Sequence, residues 1–209
     1  MAKRIVVLHS GGMDSTVCLY DAHSKGHEVH SLGIDYGQRL RVELMFASRH
    51  CAELGVSREV LQVAWAKPER LIPDSREIAD MMKSVSPAFL PGRNILFLSL
   101  ACAHASGIGA DEVHIGLNCV EFSGYPDCTV EFLEAYKEMV SIGNPEGPEI
   151  IAPLLELSKK DIALKAKALG IGEWDTWSCY KPAINHGSVT PCGVCDACIL
   201  HAHAWEDLS

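Results

Sequence analysis

Short apolar runs alternate with helix-periodic segments from the start of the chain, and this alternation limits the fold more than any other feature. Arg4 to Leu8 reads as a buried strand, Met13 to Lys25 as a helix, Val29 to Ile34 as a second strand, and Arg39 to Leu54 as a helix ending at Gly55. Glu59 to Val63 is a third strand, Asn94 to Ser106 a helix, Glu112 to Ile115 a strand, Thr129 to Ile142 a helix, Ile150 to Ala152 a strand, and Lys159 to Leu169 a helix closed by Gly170. Strands that alternate strictly with helices form a parallel sheet covered on both faces, with ligands at the carboxyl ends of the strands where strand order reverses. The expected fold is therefore α/β, a doubly wound parallel five-stranded sheet. With 209 residues, 48% of them apolar, the chain supports one core: residues 1–172 read as the α/β body and 173–209 as a C-terminal segment packed on it. Trp65 to Arg93 falls outside the alternation and is too long for an idle connection; it reads as a lid, a binding loop or a disordered stretch.

No apolar run reaches the length needed to span a bilayer, and MAKRIVVLHS lacks a secretory cleavage site, so a cytoplasmic location is expected. A formal charge of -9 without a lysine or arginine cluster argues against a nucleic-acid partner. The nine cysteines are an odd number, and Cys18, Cys51 and Cys102 lie in apolar periodic segments, where a reduced thiol acts as a small buried hydrophobe.

The stretch VVLHSGGMDSTVCLY runs from strand to glycine turn to helix and contains no lysine. Ser10, Gly11, Gly12, Asp14 and Ser15 offer backbone N–H groups, two hydroxyls and a carboxylate at a helix N-terminus, a site that grips an anion by amides and dipole. Asp14 beside a phosphate is repulsive unless magnesium lies between them, so the loop points to a metal-bound pyrophosphate. The plainer alternative is a strand-to-helix turn with Ser10 as N-cap.

In the tail, Cys192, Cys195 and Cys198 form C-x-x-C-x-x-C, and Cys179 precedes them across a polar loop that can fold back. Four thiolates at this spacing suit a closed, structural zinc site that staples a tail too short for its own core. An iron-sulfur cluster and a redox C-x-x-C pair remain alternatives, disfavoured by Pro191 and Gly193 and by the topology. His186, His201 and His203 are nearby; one could replace Cys179, but each reads first as a surface histidine.

Ser-Gly-Gly-X-Asp-Ser resembles the PP-loop of the ATP pyrophosphatase family, with its adenine nucleotide alpha-hydrolase-like fold. The resemblance implies a loop that holds the pyrophosphate of ATP while an acceptor oxygen attacks the alpha phosphate, with lysine supplied from elsewhere. Lys159 and Lys160, after PLLEL, are the candidates. In order, SGGMDS, YGQR, PGRNILFLSLA, GLN, SGYPDC, APLLELSK, TWSCY and PCGVCDAC are similar to the motif series of the 7-cyano-7-deazaguanine synthases, zinc-containing PP-loop enzymes of queuosine precursor biosynthesis. That resemblance implies conversion of 7-carboxy-7-deazaguanine to the nitrile with ammonia and ATP, through an adenylated carboxylate and an amide, by a homodimer. It maps structural zinc onto Cys179, Cys192, Cys195 and Cys198.

Within this reading Ser10, Gly11, Gly12, Asp14, Ser15, Gln38 and Arg39 bind ATP and magnesium, with Asp14, Lys159 and Arg93 catalytic. Arg93, Asn94, Glu121, Ser123, Gly124, Tyr125 and Asp127 bind the deazaguanine, Glu121 or Asp127 accepting the guanine-like N–H groups. Taken singly, these residues also suit turns and caps, Asn94 being a possible N-cap. Three departures from the family pattern stand out: Glu121 for aspartate, and Thr129 and His201 for arginines. Lost positive charge leaves room for a paralogue that joins the activated carboxylate to another amine, even one on a protein. A PP-loop tRNA-modifying enzyme and a nonenzymatic zinc-dependent binding module are the remaining alternatives.

Overall fold

The computed structural model describes residues 1–38, 41–65, 71–81, 83–119, 125–185 and 188–208. Five parallel strands form one sheet: β1 (Arg4–Leu8), β2 (Glu28–Asp35), β3 (Ser57–Gln62), β4 (Glu112–His114) and β5 (Glu149–Ile151), in the order β3-β2-β1-β4-β5. The helices between them are α1 (Met13–Ser24), α2 (Val42–Leu54), a short α3 (Ile78–Met81), α4 (Arg93–Ile108), α5 (Val130–Gly143) and α6 (Lys159–Ala168). The chain moves outward from β1 to β3, then returns to place β4 on the other side of β1. Strand order therefore reverses between β1 and β4, and the loops after these two strands face one crevice.

The alternation of side chains along β1 divides the core. Val6 and Leu8 pack with Leu98 and Ala105 of α4 and Leu133 of α5, whereas Ile5 and Val7 pack with Val17 and Leu19 of α1 and Ile162 of α6. Strands buried on both faces carry little polar alternation, which is why β1 is legible as an apolar run. The edge strand β3 differs: its residues are mostly exposed, and pairing with β2 from His30↔Ser57 to Asp35↔Gln62 sets its start two residues before the expected Glu59. Helix α4 starts at Arg93 with Gly92, not Asn94, at its N-cap, and α1 is capped by Gly12 rather than Ser10.

The tail is not irregular throughout. Ala183–Asn185 (β6) and Ser188–Thr190 (β7) pair antiparallel, and α7 (Asp196–Trp205) packs on α6, burying Ala204 and Trp205 in the α1–α6 core. The stretch read as a lid or disordered loop is a strap over this tail in its described part. Asp74 bridges Cys195, the Ser75 amide donates to the Val194 carbonyl at 2.7 Å, and Arg76 pairs with the buried Asp196 at 2.9 Å. Among the described residues no helix is long and apolar enough to cross a membrane.

Candidate active site

The glycine loop closes on itself through its serines. Ser10 Oγ accepts the Gly12 amide at 3.2 Å and stands 3.1 Å from Ser15 Oγ, which donates to the Gly12 carbonyl at 3.1 Å. Gly11 has φ 97°, and a Cβ there would lie 2.0 Å from the Glu43 carbonyl oxygen of α2, so this turn admits no side chain. On the other side a Cβ at Gly116, just after β4, would sit 3.0 Å from Asp14 backbone. The two loops of the switch point thus meet through glycine, and no side chain caps the first-turn amides of α1. Uncapped amides, two hydroxyls and the positive end of α1 form an anion cradle.

Of the two candidate lysines, Lys159 reaches the loop. Its ammonium pairs with the Asp14 carboxylate across 145 residues of chain, whereas Lys160 points to the exposed Asp207. A capping box fixes the start of α6: Ser158 Oγ accepts the Asp161 amide at 3.1 Å, and the Asp161 carboxylate accepts the Ser158 amide at 3.1 Å. The cation beside Asp14 in this structure is therefore a lysine, and the Asp14–Lys159 pair lines a cleft of about 340 Å³ together with Ser10, Gly12 and Ser15.

A second wall of this cleft carries Arg93, Asn94, Tyr125 and, beyond the expected set, Tyr36 and Tyr180, while Asn118 and Ser178, also outside the expected set, line it beside the start of α6 and the glycine loop. Arg93 is half-buried; burial works against its charge, while its neighbours Tyr36, Tyr180, Tyr125 and the Asp127 carboxylate shift its pKa upward on balance. Asp127 itself stands behind the wall, 6% exposed, receiving the Asn94 amide at 3.4 Å while its carbonyl accepts from Asn94 Nδ2 at 3.0 Å. Burial raises its pKa against the pull of Arg93 and the Asn94 amide. Its contacts tie the start of α4 to the turn before α5, and it does not line the cleft.

Gln38 also works as scaffolding: its Oε1 accepts the Tyr36 amide at 3.0 Å and its Nε2 donates to Glu43 at 3.1 Å, tying the end of β2 to α2. Asn118 donates to the Leu157 carbonyl, and its buried Oδ1 has no partner among the described residues. Arg39, Glu121, Ser123, Gly124 and His186 lie outside the described residues.

The four tail cysteines converge. The sulfurs of Cys179, Cys192, Cys195 and Cys198 all lie within 4.8 Å of one another, with Cys195 and Cys198 3.6 Å apart and Cys192 and Cys198 3.9 Å apart. The Cys192 amide donates to Cys179 Sγ at 3.3 Å and the Cys195 amide to Cys192 Sγ at 3.4 Å. The hydrogen bond between Cys195 and Cys198 holds the Cys195 thiol well below its ordinary pKa and, with burial, pushes Cys198 up. This is a metal site in its donor set and compactness.

The metal segment is joined to the glycine loop. The Trp177 amide donates to the Gly11 carbonyl at 2.9 Å, and the Trp177 ring packs on Phe46 of α2 with centroids 5.6 Å apart. His203 is exposed and near Glu206, as a surface histidine would be, but His201 is not a surface residue. It is 9% exposed, set between the Trp174 and Trp205 rings at 5.6 and 6.4 Å, and it lines the cleft. Its burial follows from the packing of α7 on the body, which spacing within the tail does not reveal.

Tyr36, Asn118, Ser178 and Tyr180 belong to the YGQR, GLN and TWSCY motifs. The signal that finds them is topological: each follows the carboxyl end of a strand or borders the metal segment facing the crevice.

Comparison with known proteins places the site in a family. Residues 4–209 match the model of the queuosine biosynthesis protein QueC family. The chain is 60% identical over 206 residues to 7-cyano-7-deazaguanine synthase 2 of Rhodopseudomonas palustris (strain HaA2), covering 99% of this chain and 98% of that protein. It is 37% identical over 218 residues to the 7-cyano-7-deazaguanine synthase of Leptospira interrogans, covering 98% and 87%. Among solved structures, the U34-tRNA thiolase NcsA of Methanococcus maripaludis with its [4Fe-4S] cluster superposes with TM-score 0.54 at 14% identity, covering 98% of this chain and 64% of that one. NMN synthetase of Francisella tularensis gives 0.52 at 15% identity, covering 82% and 63%. These two likenesses concern the fold alone. The match along the whole chain and the agreement among its relatives make this protein a member of the queuosine biosynthesis protein QueC family.

Proposed function

We propose that the chain is an ATP-dependent ligase that converts 7-carboxy-7-deazaguanine and ammonia to 7-cyano-7-deazaguanine, cleaving ATP to AMP and pyrophosphate. The observation that carries the reading is one cleft that brings together two chemically distinct groups: an anion cradle with the Asp14–Lys159 pair, and the Arg93–tyrosine group. The family membership and the names of the relatives support 7-cyano-7-deazaguanine as the product.

The glycine loop and α1 amides hold the pyrophosphate half of ATP. Lys159 moves its charge from Asp14 to the polyphosphate, and Arg93 receives the negative charge of the acceptor carboxylate through its planar fork. The carboxylate oxygen, fixed against the alpha phosphorus, attacks in line, and pyrophosphate leaves into the cradle. Positioning makes the step effectively unimolecular, and the two cations offset charge that develops at the phosphorus. No side-chain nucleophile is required. Ammonia then displaces AMP to give the amide, whose oxygen attacks the alpha phosphorus of a second ATP in the same place; this AMP leaves with the former amide oxygen and two N–H protons pass to solvent, giving the nitrile. Asn118 Oδ1 suits an N–H of the purine-like base.

Asp14 with the Ser10 and Ser15 hydroxyls is an oxygen-only donor set that fits magnesium, which would supply further charge neutralisation at the polyphosphate. The cysteine cluster fits zinc: a tetrahedron with Zn–S of about 2.3 Å places sulfurs about 3.8 Å apart, beside the 3.6 and 3.9 Å separations here. A four-iron cluster spreads its thiolates over separate irons and needs a wider cage. With all four positions taken by sulfur, such a zinc site would hold the segment 173–209 on the body 1–172 and take no part in the chemistry.

The test is to incubate metal-loaded protein with ATP, magnesium, ammonium and 7-carboxy-7-deazaguanine, and to follow nucleotides and base by mass spectrometry beside an Asp14→Ala control. AMP, pyrophosphate and the nitrile from the wild type, with none from the variant, support the reading. AMP with a product carrying another amine favours the paralogue reading, and no AMP at all overturns the assignment.

A further inference from the structure

A second cavity of about 310 Å³ lies behind the part of the cleft wall made by Trp177, Ser178 and His201, and these three residues line both spaces. Phe46 and Trp174 add apolar walls, Cys179 and Cys198 add sulfur, and the exposed Pro191, Gly193 and Ala202 mark its outer rim. Two polar atoms interrupt this lining. Thr176 is 4% and His201 9% exposed, and Thr176 Oγ1 and His201 Nε2 have no hydrogen-bond partner among the described residues. Buried polar groups are rarely left so, and two of them in one cavity mark a place for a guest. A hydroxyl oxygen and an imidazole nitrogen can both accept an N–H.

We infer that this side cavity admits the nitrogen nucleophile, neutral ammonia, to the cleft, with Thr176 Oγ1 and His201 Nε2 accepting its N–H groups on the way. The inference rests on the ligase reading above. The lining holds no carboxylate and its sulfurs are engaged with the metal in the reading above, so neutral ammonia, which needs only N–H acceptors, passes these apolar walls at less cost than ammonium. At the junction the nitrogen lone pair forms the C–N bond to the activated acyl carbon. The C–O bond to AMP breaks with its electron pair leaving on AMP, and one N–H proton passes to solvent. A separate entrance for nitrogen lets the walls of the cleft stay closed around the adenylate, which keeps water from it.

The experiment measures initial rates of AMP and nitrile formation by the full-length, metal-loaded protein against ammonium chloride, at saturating ATP and carboxylate. Thr176→Val removes one acceptor at constant shape, so the KM for ammonium should rise about fivefold, the loss of one hydrogen bond, with the KM values for ATP and carboxylate unchanged. Its melting temperature should hold or increase, since the removed hydroxyl has no partner. Ala202→Trp at the rim should suppress AMP and nitrile turnover together, since the adenylate, shielded from water, waits for ammonia that cannot reach it. An unaltered ammonium KM in folded Thr176→Val, or nitrile formation undiminished in folded Ala202→Trp, overturns the inference: the cavity then holds water only. Should Ala202→Trp not fold, Thr176→Val decides alone. Wild-type protein that forms no AMP from the carboxylate overturns the underlying reading and the inference with it, whereas AMP formation with unaltered ammonium dependence overturns the inference alone.

Discussion

The two walls of the cleft are built by different means. The glycine-loop wall consists of regular elements: β1 delivers Ser10 to Ser15, a capping box aims α6, and Lys159 meets Asp14 as a result. The Arg93 wall is assembled from a short turn at Pro126–Cys128, the N-terminus of α4, and a tail held by four cysteines under a strap. A helix start and a strand end are fixed by local hydrogen bonds and by the core, while the part of the tail before α7 has only the small cluster of Trp177 and the cysteines beneath it. The first wall should therefore tolerate loss of the metal, and the second should not.

The largest effect separates chemistry from scaffold. Lys159→Ala should lower the rate of pyrophosphate release by about 10²–10³-fold, the cost of losing one preorganised charge at a transition state; circular dichroism should remain native, and loss of the fold instead would place Lys159 in the scaffold. Stripping the metal with a chelator tests the contrast itself. The kcat/KM for the carboxylate should fall about 10–100-fold, with ATP binding by calorimetry nearly unaltered. If ATP binding is lost in parallel, the Trp177–Gly11 hydrogen bond couples the walls more tightly than their separate construction implies.

Arg93→Lys keeps the charge but loses the planar fork, and should raise the KM for the carboxylate about tenfold without moving that for ATP. Protonation weakens the loop wall from below. Burial, with Arg58 and His50 adding to it, holds His9 well below its ordinary pKa, so the folded state keeps it neutral where it contacts Ser31 and Thr16. The unfolded chain protonates near its reference pKa of about 6.5. The stability contribution is therefore complete above that pH and lost as pH falls, by up to about 1.4 kcal/mol per unit. Urea unfolding between about pH 7.5 and pH 5.5 should show this slope, reduced in His9→Gln. The smallest effect is Thr129→Ala, which removes the side chain that caps α5 by accepting the Phe132 amide at 3.1 Å. It should cost about 1 kcal/mol of stability and no activity; a change in carboxylate KM would mean that Thr129 reaches the substrate after all.

The same contrast explains what the sequence makes legible. The order of strands and helices, the loop from Ser10 to Ser15 and the four cysteines follow from periodicity and spacing, which are local. Lys159 is separable from Lys160 only once α6 has a fixed start and a direction. Asp127 and Gln38 carry the residue types of ligand-binding groups, yet spend their polar atoms on Asn94, Tyr36 and Glu43, because the ends of α4 and α2 need them there. The burial of His201 and the strap over the tail depend on which face of the body α7 chooses. No spacing within the tail contains that information.

The central claim is that an acceptor carboxylate is activated on the alpha phosphate of ATP between these two walls. Its most direct test uses 7-carboxy-7-deazaguanine labelled with oxygen-18 in the carboxylate, with ATP, magnesium and ammonium, and reads the label by mass spectrometry. One labelled oxygen in AMP is the predicted result, since the C–O bond to the adenylate oxygen breaks when nitrogen enters. Label in inorganic phosphate, or product formed with unlabelled AMP, would contradict the account.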